Sequence, residues 1–230
     1  MATATKPTAA PTVPTLENGD HLSRAEFERR YDAMPGLKGA ELIEGIVYMP
    51  SPVRFARHGE PHAALLGWLF NYKLATPGLR CADNASVRLD LDNEPQPDVF
   101  LLIDPKHGGQ AEISEDDYVE GAPELVAEVA SSSVSIDLGP KLDAYRRNGV
   151  REYLVWRALD GAFDWLVLRE SRYEPLAPDA DGVLKSTVFP GLWLEAESLL
   201  AGDLPKVMAT LNRGLATPEH AAFVERLKDA

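Results

Sequence analysis

A chain of 230 residues with a formal net charge of −13 carries 45% hydrophobic and 26% charged residues. That is the balance of an ordinary globular protein, long enough for one substantial core. The acidity excludes a global attraction for phosphate backbones, so nucleic-acid contact needs a local basic patch or bound cations. The one cysteine, Cys81, excludes an intramolecular disulfide, and with neither a signal peptide nor a long apolar span recognisable, the cytoplasm, away from membranes, is the expected location.

Residues 1–15 are Ala, Thr and Pro with one Lys and read as a flexible arm. Ser23-Arg24-Ala25-Glu26 has the form of a capping box with Leu22 as staple. Phe27, Tyr31 and Met34 then predict a helix from Ser23 to Ala33, ended by Pro35-Gly36. Glu41-Leu42-Ile43 and Ile46-Val47-Tyr48-Met49 flank Glu44-Gly45 as a hairpin. Pro61 suits a first helical turn, and Ala64, Leu65, Trp68, Leu69 and Tyr72 form the apolar stripe of that helix. Ser86 to Leu91 alternates as a half-buried strand. A turn at Asp92 to Pro95 leads to Asp98 and the strand Val99 to Ile103, and His107 to Glu120 reads as an acidic loop. Leu125 to Ala130 is apolar on both faces, as in a central strand. Asp137 is placed to cap a helix carrying Lys141, Leu142 and Tyr145, closed by Gly149. Glu152 to Trp156 and Phe163 to Leu168 are two strands joined through Asp160-Gly161, and Tyr173, residues 183–188 and residues 192–194 finish the sheet region. Two amphipathic helices, parted near Thr217-Pro218, fill residues 201–230. The expected organisation is therefore an arm (1–15), one α/β (α+β) domain (16–200) and a C-terminal helical extension (201–230).

Glu128 interrupts the central apolar strand. A carboxylate there is costly unless a cation or hydrogen bonds meet it. Strand alternation puts Val126, Glu128 and Ala130 on one face, and Asp98 at the mouth of another apolar strand is the obvious companion. Two carboxylates completed by waters and a substrate phosphate are a common Mg²⁺ arrangement. Plainer readings stand beside this one. Asp98 serves equally as a turn residue, Glu128 as the structural partner of Lys141, Arg146 or Arg147, Glu41 as a hairpin acid paired with a cation, Lys141 as a solvated first-turn residue, and Asp137 as a cap alone. His58-Gly59-Glu60-Pro61-His62 is not a zinc signature, because Pro61 works against a regular helical ligand pair; His58 is expected near phosphate or in a hydrogen-bond network. Arg54, Arg57, Arg80, Arg88, Arg146, Arg147 and Arg151 are candidates for a local basic groove.

Several motifs occur in order: Glu41-Leu42-Ile43-Glu44-Gly45, Met49-Pro50-Ser51-Pro52 with His58, and Pro97-Asp98-Val99. Pro123 to Ser131 follows, then Asp137, Lys141, Tyr145, Gly149-Val150, Glu152-Tyr153 and Phe189-Pro190-Gly191-Leu192. Together they resemble the bacterial "putative restriction endonuclease" family (Uma-type, formerly a domain of unknown function) of the PD-(D/E)XK nuclease superfamily, over roughly Ser23 to Leu200. The resemblance implies a restriction-endonuclease-like core: a central mixed sheet flanked by helices. It implies a metal-dependent endonuclease that uses Mg²⁺ or Mn²⁺ to hydrolyse phosphodiester bonds of DNA, with a homodimer as a possible assembly. Asp98 and Glu128 match the family's metal ligands, and Glu41 an acid that adds to the shell. Lys141 matches a helix-borne form of the catalytic lysine, which the Glu-X-Lys motif would place at Ala130. Tyr145 faces the same side, and with His58 is a candidate for phosphate or network contacts. Ala130 and the net charge also motivate the alternative, a catalytically inactive binding or scaffolding module on a nuclease fold; a small-phosphoester hydrolase is a third reading.

Overall fold

Leu125 to Ala130, apolar on both faces, lies inside a six-stranded sheet with every residue buried. The computed structural model describes residues 13–229, so most of the expected N-terminal arm lies outside the described residues. In chain order come helix α1 (Arg24–Asp32), hairpin strands β1 (Glu41–Ile43) and β2 (Ile46–Tyr48), and a π-helical turn (Phe55–Gly59) running into helix α2 (Glu60–Ala75). Strands β3 (Leu79–Ala82), β4 (Val87–Arg88), β5 (Val99–Ile103), β6 (Glu112–Ile113), β7 (Val119–Glu120) and β8 (Leu125–Ala130) follow. Helices α3 (Val134–Asp137) and α4 (Pro140–Asn148) lead to strands β9 (Glu152–Arg157), β10 (Ala162–Arg169), β11 (Arg172–Pro175), β12 (Leu184–Lys185) and β13 (Trp193–Leu194). Helices α5 (Ala196–Leu200), α6 (Leu204–Leu215) and α7 (Pro218–Asp229) close the chain.

The large sheet has the order β11-β10-β9-β8-β5-β3. Only β8 and β9 run parallel; the other neighbours are antiparallel, so the sheet is mixed. The β8–β9 step needs a crossover, and α3 and α4 supply it. One face packs on α2, whose Leu65, Trp68, Leu69 and Tyr72 meet Val99, Leu101, Leu125, Ala127 and Val129. The other face packs on α4, where Tyr145 joins Phe100, Val126, Ala130 and Tyr153. Each large apolar side chain removed from water this way contributes about 1.5–3 kcal/mol. The architecture is the α+β one expected: a mixed sheet flanked by helices.

Several local expectations give way to stronger partners. The capping box does not form: Ser23 makes no side-chain cap bond, and the Glu26 carboxylate, its reciprocal half, is drawn to Arg29 and Arg30 at 2.7 Å. The strand expected over Ser86 to Leu91 shrinks to β4. Leu89 turns back to bond the Asn93 carbonyl, and Asp90 accepts from the Asn93 amide. The acidic loop after His107 contains β6 and β7, which pair with each other and with β4 in a small sheet. Strands β12 and β13 form their own pair and do not join the large sheet. Asp137 caps nothing: it ends α3 in a buried position, while Gly139 and Pro140 start α4.

Helices α6 and α7 send Val207, Leu211, Phe223 and Leu227 into the main core. Their seat depends on a close backbone approach. A Cβ built on Gly214 would lie 2.2 Å from the Gly191 carbonyl oxygen and 2.8 Å from Trp193 Cγ. Gly214→Ala is therefore expected to lower stability by about 1–3 kcal/mol in urea unfolding. Gly67→Ala, in the open on α2, is the control, and should stabilise by up to about 1 kcal/mol.

Candidate functional site

The β5–β8 register pairs Val99 with Ala127, so the next position along sets Asp98 against Glu128. The two acids are tied through the backbone. The Asp98 amide donates to Glu128 Oε2 at 3.3 Å, and the Val129 amide donates to Asp98 Oδ2 at 2.6 Å. From the π-helical turn, His58 Nε2 lies 3.0 Å from Asp98 Oδ1, and from the first turn of α2, His62 Nε2 donates to the Asp98 carbonyl at 2.8 Å. The two imidazoles stack with centroids 5.9 Å apart, as helical neighbours four positions apart do.

The opposite wall is α4. Lys141 stands in its first turn, yet only 4% of it is exposed, so the solvated reading fails. Its Nζ lies 2.8 Å from Glu41 Oε1, 3.0 Å from Glu128 Oε1 and 3.8 Å from Asp137 Oδ1. One turn on, the Tyr145 hydroxyl donates to Glu128 Oε1 at 2.9 Å. Glu41 also accepts from the Gln96 amide at 2.7 Å, which fixes the hairpin to the segment entering β5. Tyr153 donates to the Asp137 carbonyl at 3.0 Å.

Four carboxyl groups thus face one ammonium and one imidazole. Burial pushes the Glu128 carboxyl well above the usual range against the pull of Lys141, and Asp98 adds to the rise. Burial also raises Asp137. At Asp98 burial pushes upward most strongly, but His58 by hydrogen bond and charge, the Val129 amide and Lys141 together outweigh it and hold the carboxyl low. Asp98 in turn raises His58. Burial works to discharge Lys141, but Glu128, Glu41 and Asp137 together raise its pKa far above normal. Lys141 is therefore a fixed positive charge at neutral pH and no proton acceptor.

The donor chemistry suits a hard divalent ion: carboxylate oxygens, in surplus over the nearby cations. Among the described residues no three His, Cys, Asp or Glu side chains converge to hold an ion by themselves. The reason is visible in the contacts, since the Lys141 ammonium holds Glu41 and Glu128 Oε1. What the chain offers a metal is the Asp98–Glu128 pair, the number of protein ligands that Mg²⁺ commonly accepts beside water and phosphate.

Residues 24–197 match the model of the family described as "Putative restriction endonuclease" (Uma2). The chain belongs to that family. Among solved structures it is similar to "a putative nuclease belonging to DUF820" from Anabaena variabilis. The TM-score is 0.53 at 16% identity, covering 74% of this chain and 97% of that one. At that identity the likeness speaks for the fold. Among curated proteins none matches the chain.

The Uma2-family reading of the residues did not single out His62 beyond the discarded zinc pattern, and gave Asp137 only a capping role. Both had a spacing signal: His62 follows His58 by four positions on the same helix, and Asp137 precedes Lys141 by four. The seven arginines do not form one basic groove. Arg80, Arg88, Arg146 and Arg147 pair with Asp104, Asp116, Asp143 and Glu44, and Arg151 bonds Gln110.

Against the hairpin lies a further buried acid, one with no sequence signal. Glu94 is 1% exposed and bridges to Leu42 of the hairpin. Burial and the neighbouring Glu28 push its carboxyl up to about 8. The folded pKa exceeds the unfolded one, so Glu94 favours folding when protonated, and that contribution is lost as pH rises from about 4.5 to about 8. Glu94→Gln removes the titration. It is expected to match wild type near pH 5 and to exceed it at alkaline pH by on the order of a few kcal/mol in urea unfolding.

No helix among the described residues is long and apolar enough to cross a membrane.

Proposed function

We propose that the chain is a divalent-metal-dependent endonuclease that hydrolyses DNA phosphodiester bonds. The observation that carries this reading is the Asp98–Glu128 pair, set face to face across adjacent strands with a buried lysine 3.0 Å from Glu128. Asp98 and Glu128 are the residues proposed to hold Mg²⁺ or Mn²⁺, with Glu41 beside them. When bound, the ion supplies an activated water and offsets charge on the phosphoryl group.

The chain's own groups have distinct tasks in this proposal. His58 fixes the rotamer of Asp98 through Oδ1 and keeps its carboxylate ionised. Tyr145 and Lys141 orient Glu128 through Oε1, leaving Oε2 toward Asp98. Lys141, always charged, stabilises negative charge that builds on phosphate oxygens in the transition state. The family and the nuclease fold support the substrate class.

The second reading is an inactive nuclease-fold module. Its motive is the same lysine, whose ammonium already neutralises part of the acid cluster, together with Ala130 at the superfamily's lysine position. Incubating supercoiled plasmid and single-stranded circles with Mg²⁺ or Mn²⁺ separates the two. The nuclease reading expects metal-dependent cleavage by wild type and none by Asp98→Ala. Equal, metal-independent traces in both proteins would favour the module.

A further inference from the structure

The most exposed large apolar side chain of the described residues stands three positions before His58, whose ring meets Asp98. Phe55 is 77% exposed, and Val53 beside it 68%. Arg54 and Arg57 flank Phe55 in sequence and are exposed as well. Among the described residues neither guanidinium has an acidic partner, whereas Arg80, Arg88, Arg146 and Arg147 each have one. On a chain of net charge −13, two arginines without acidic partners on the same segment as an exposed aromatic ring make a basic and apolar stretch. The same turn carries His58, whose amide donates to the Arg54 carbonyl at 3.0 Å and whose ring meets Asp98. The stretch is thus one helical turn from the proposed reacting centre.

The acids themselves are recessed. The side chains of Asp98, Glu128 and Lys141 are only 11%, 4% and 5% exposed. A phosphodiester in an intact duplex is carried on a broad, stiff surface, and its bases are stacked away from any protein ring. A single strand has bases free to stack, and its backbone is narrow enough to enter a recess.

We infer that the Val53–His58 segment is a strand-capture element, in which Phe55 stacks on an unpaired base and Arg54 and Arg57 contact the adjoining phosphates, so that the preferred substrate is single-stranded or frayed DNA. This rests on the nuclease reading for its site and deepens it by naming the form of the substrate.

Binding measured without cleavage tests it. Anisotropy of a labelled oligodeoxynucleotide in EDTA is compared for the single strand and the blunt duplex of the same sequence. Wild type is expected to bind the single strand at least about tenfold more tightly. Phe55→Ala should lose about tenfold on the single strand, and Phe55→Trp should keep it. Arg54→Ala with Arg57→Ala should flatten the salt dependence by a slope of about 1.4. Equal affinity for both forms, an unchanged Phe55→Ala, or tighter binding of the same sequence as RNA overturns the inference. Phe55 is exposed, so Phe55→Ala removes no core contact, and the Trp and Arg variants read the same element independently. Phe55-dependent binding without any cleavage would sink the nuclease reading alone; cleavage with Phe55-independent binding would sink this inference alone.

Discussion

Lys141→Met is expected to destabilise the protein by about 3–5 kcal/mol, the usual cost of stripping one partner from a buried ion pair. The ammonium is the shared counter-ion of Glu41, Glu128 and Asp137, and methionine fills its volume without replacing its charge. Burial already favours protonated Glu128 and Asp137, so with the lysine gone these acids hold their protons more tightly still. Their folded pKa values then lie further above the unfolded ones, and the lost stability grows as pH rises. Urea unfolding should show a small deficit for Lys141→Met near pH 5 and the full deficit near pH 8. Adding Glu128→Gln should recover part of it, because one uncompensated acid is removed with its partner. A pH-independent loss would assign Lys141 a packing role instead.

Asp98→Asn is expected to lower cleavage by roughly three orders of magnitude, the scale of losing a charge that positions a catalytic ion, with little effect on folding. The amide oxygen still accepts from the Val129 amide, so the strand-to-strand tie survives. His58 loses the carboxylate that raises its pKa and should titrate lower, which NMR of the imidazole protons detects. His58→Ala acts at one remove, since the imidazole orients Asp98 by way of Oδ1. Its cost is expected to be about 10–100-fold in metal affinity. If His58→Ala equalled Asp98→Asn, the histidine would be acting on the phosphate directly. If it changed nothing, the His58–Asp98 contact would be incidental.

The elements that hold these groups are strongly written in the sequence. The Glu44-Gly45 turn sits at positive φ in both residues, as a tight hairpin requires. The Leu65, Trp68, Leu69 and Tyr72 stripe is buried along α2, and Gly149 closes α4 at φ +85. Hydrophobic periodicity and turn chemistry act locally, so they survive into the fold. The Asp98–Glu128 juxtaposition was legible because an acid inside an apolar strand signals a compensating partner. What could not be read was which cation compensates it. A first-turn lysine is solvated by default, and only the close seating of α4 over β8 buries Lys141 among three acids. Asp137 failed as a cap for a related reason: α3 and α4 are separate helices meeting at Gly139-Pro140, and the break turns Asp137 inward. The Ser23 capping box lost to Arg29 and Arg30, a competition between side chains that motif spacing does not register.

The pairing of Asp98 with Glu128 as a cation site is most directly tested by calorimetric titration of Mn²⁺ into the wild-type protein, Asp98→Asn and Glu128→Gln. The expected result is a saturable one-to-one isotherm for wild type that both substitutions abolish while the proteins remain folded. A flat wild-type isotherm, or one that neither substitution alters, would mean that Lys141 already satisfies these acids and that no metal ion is held there.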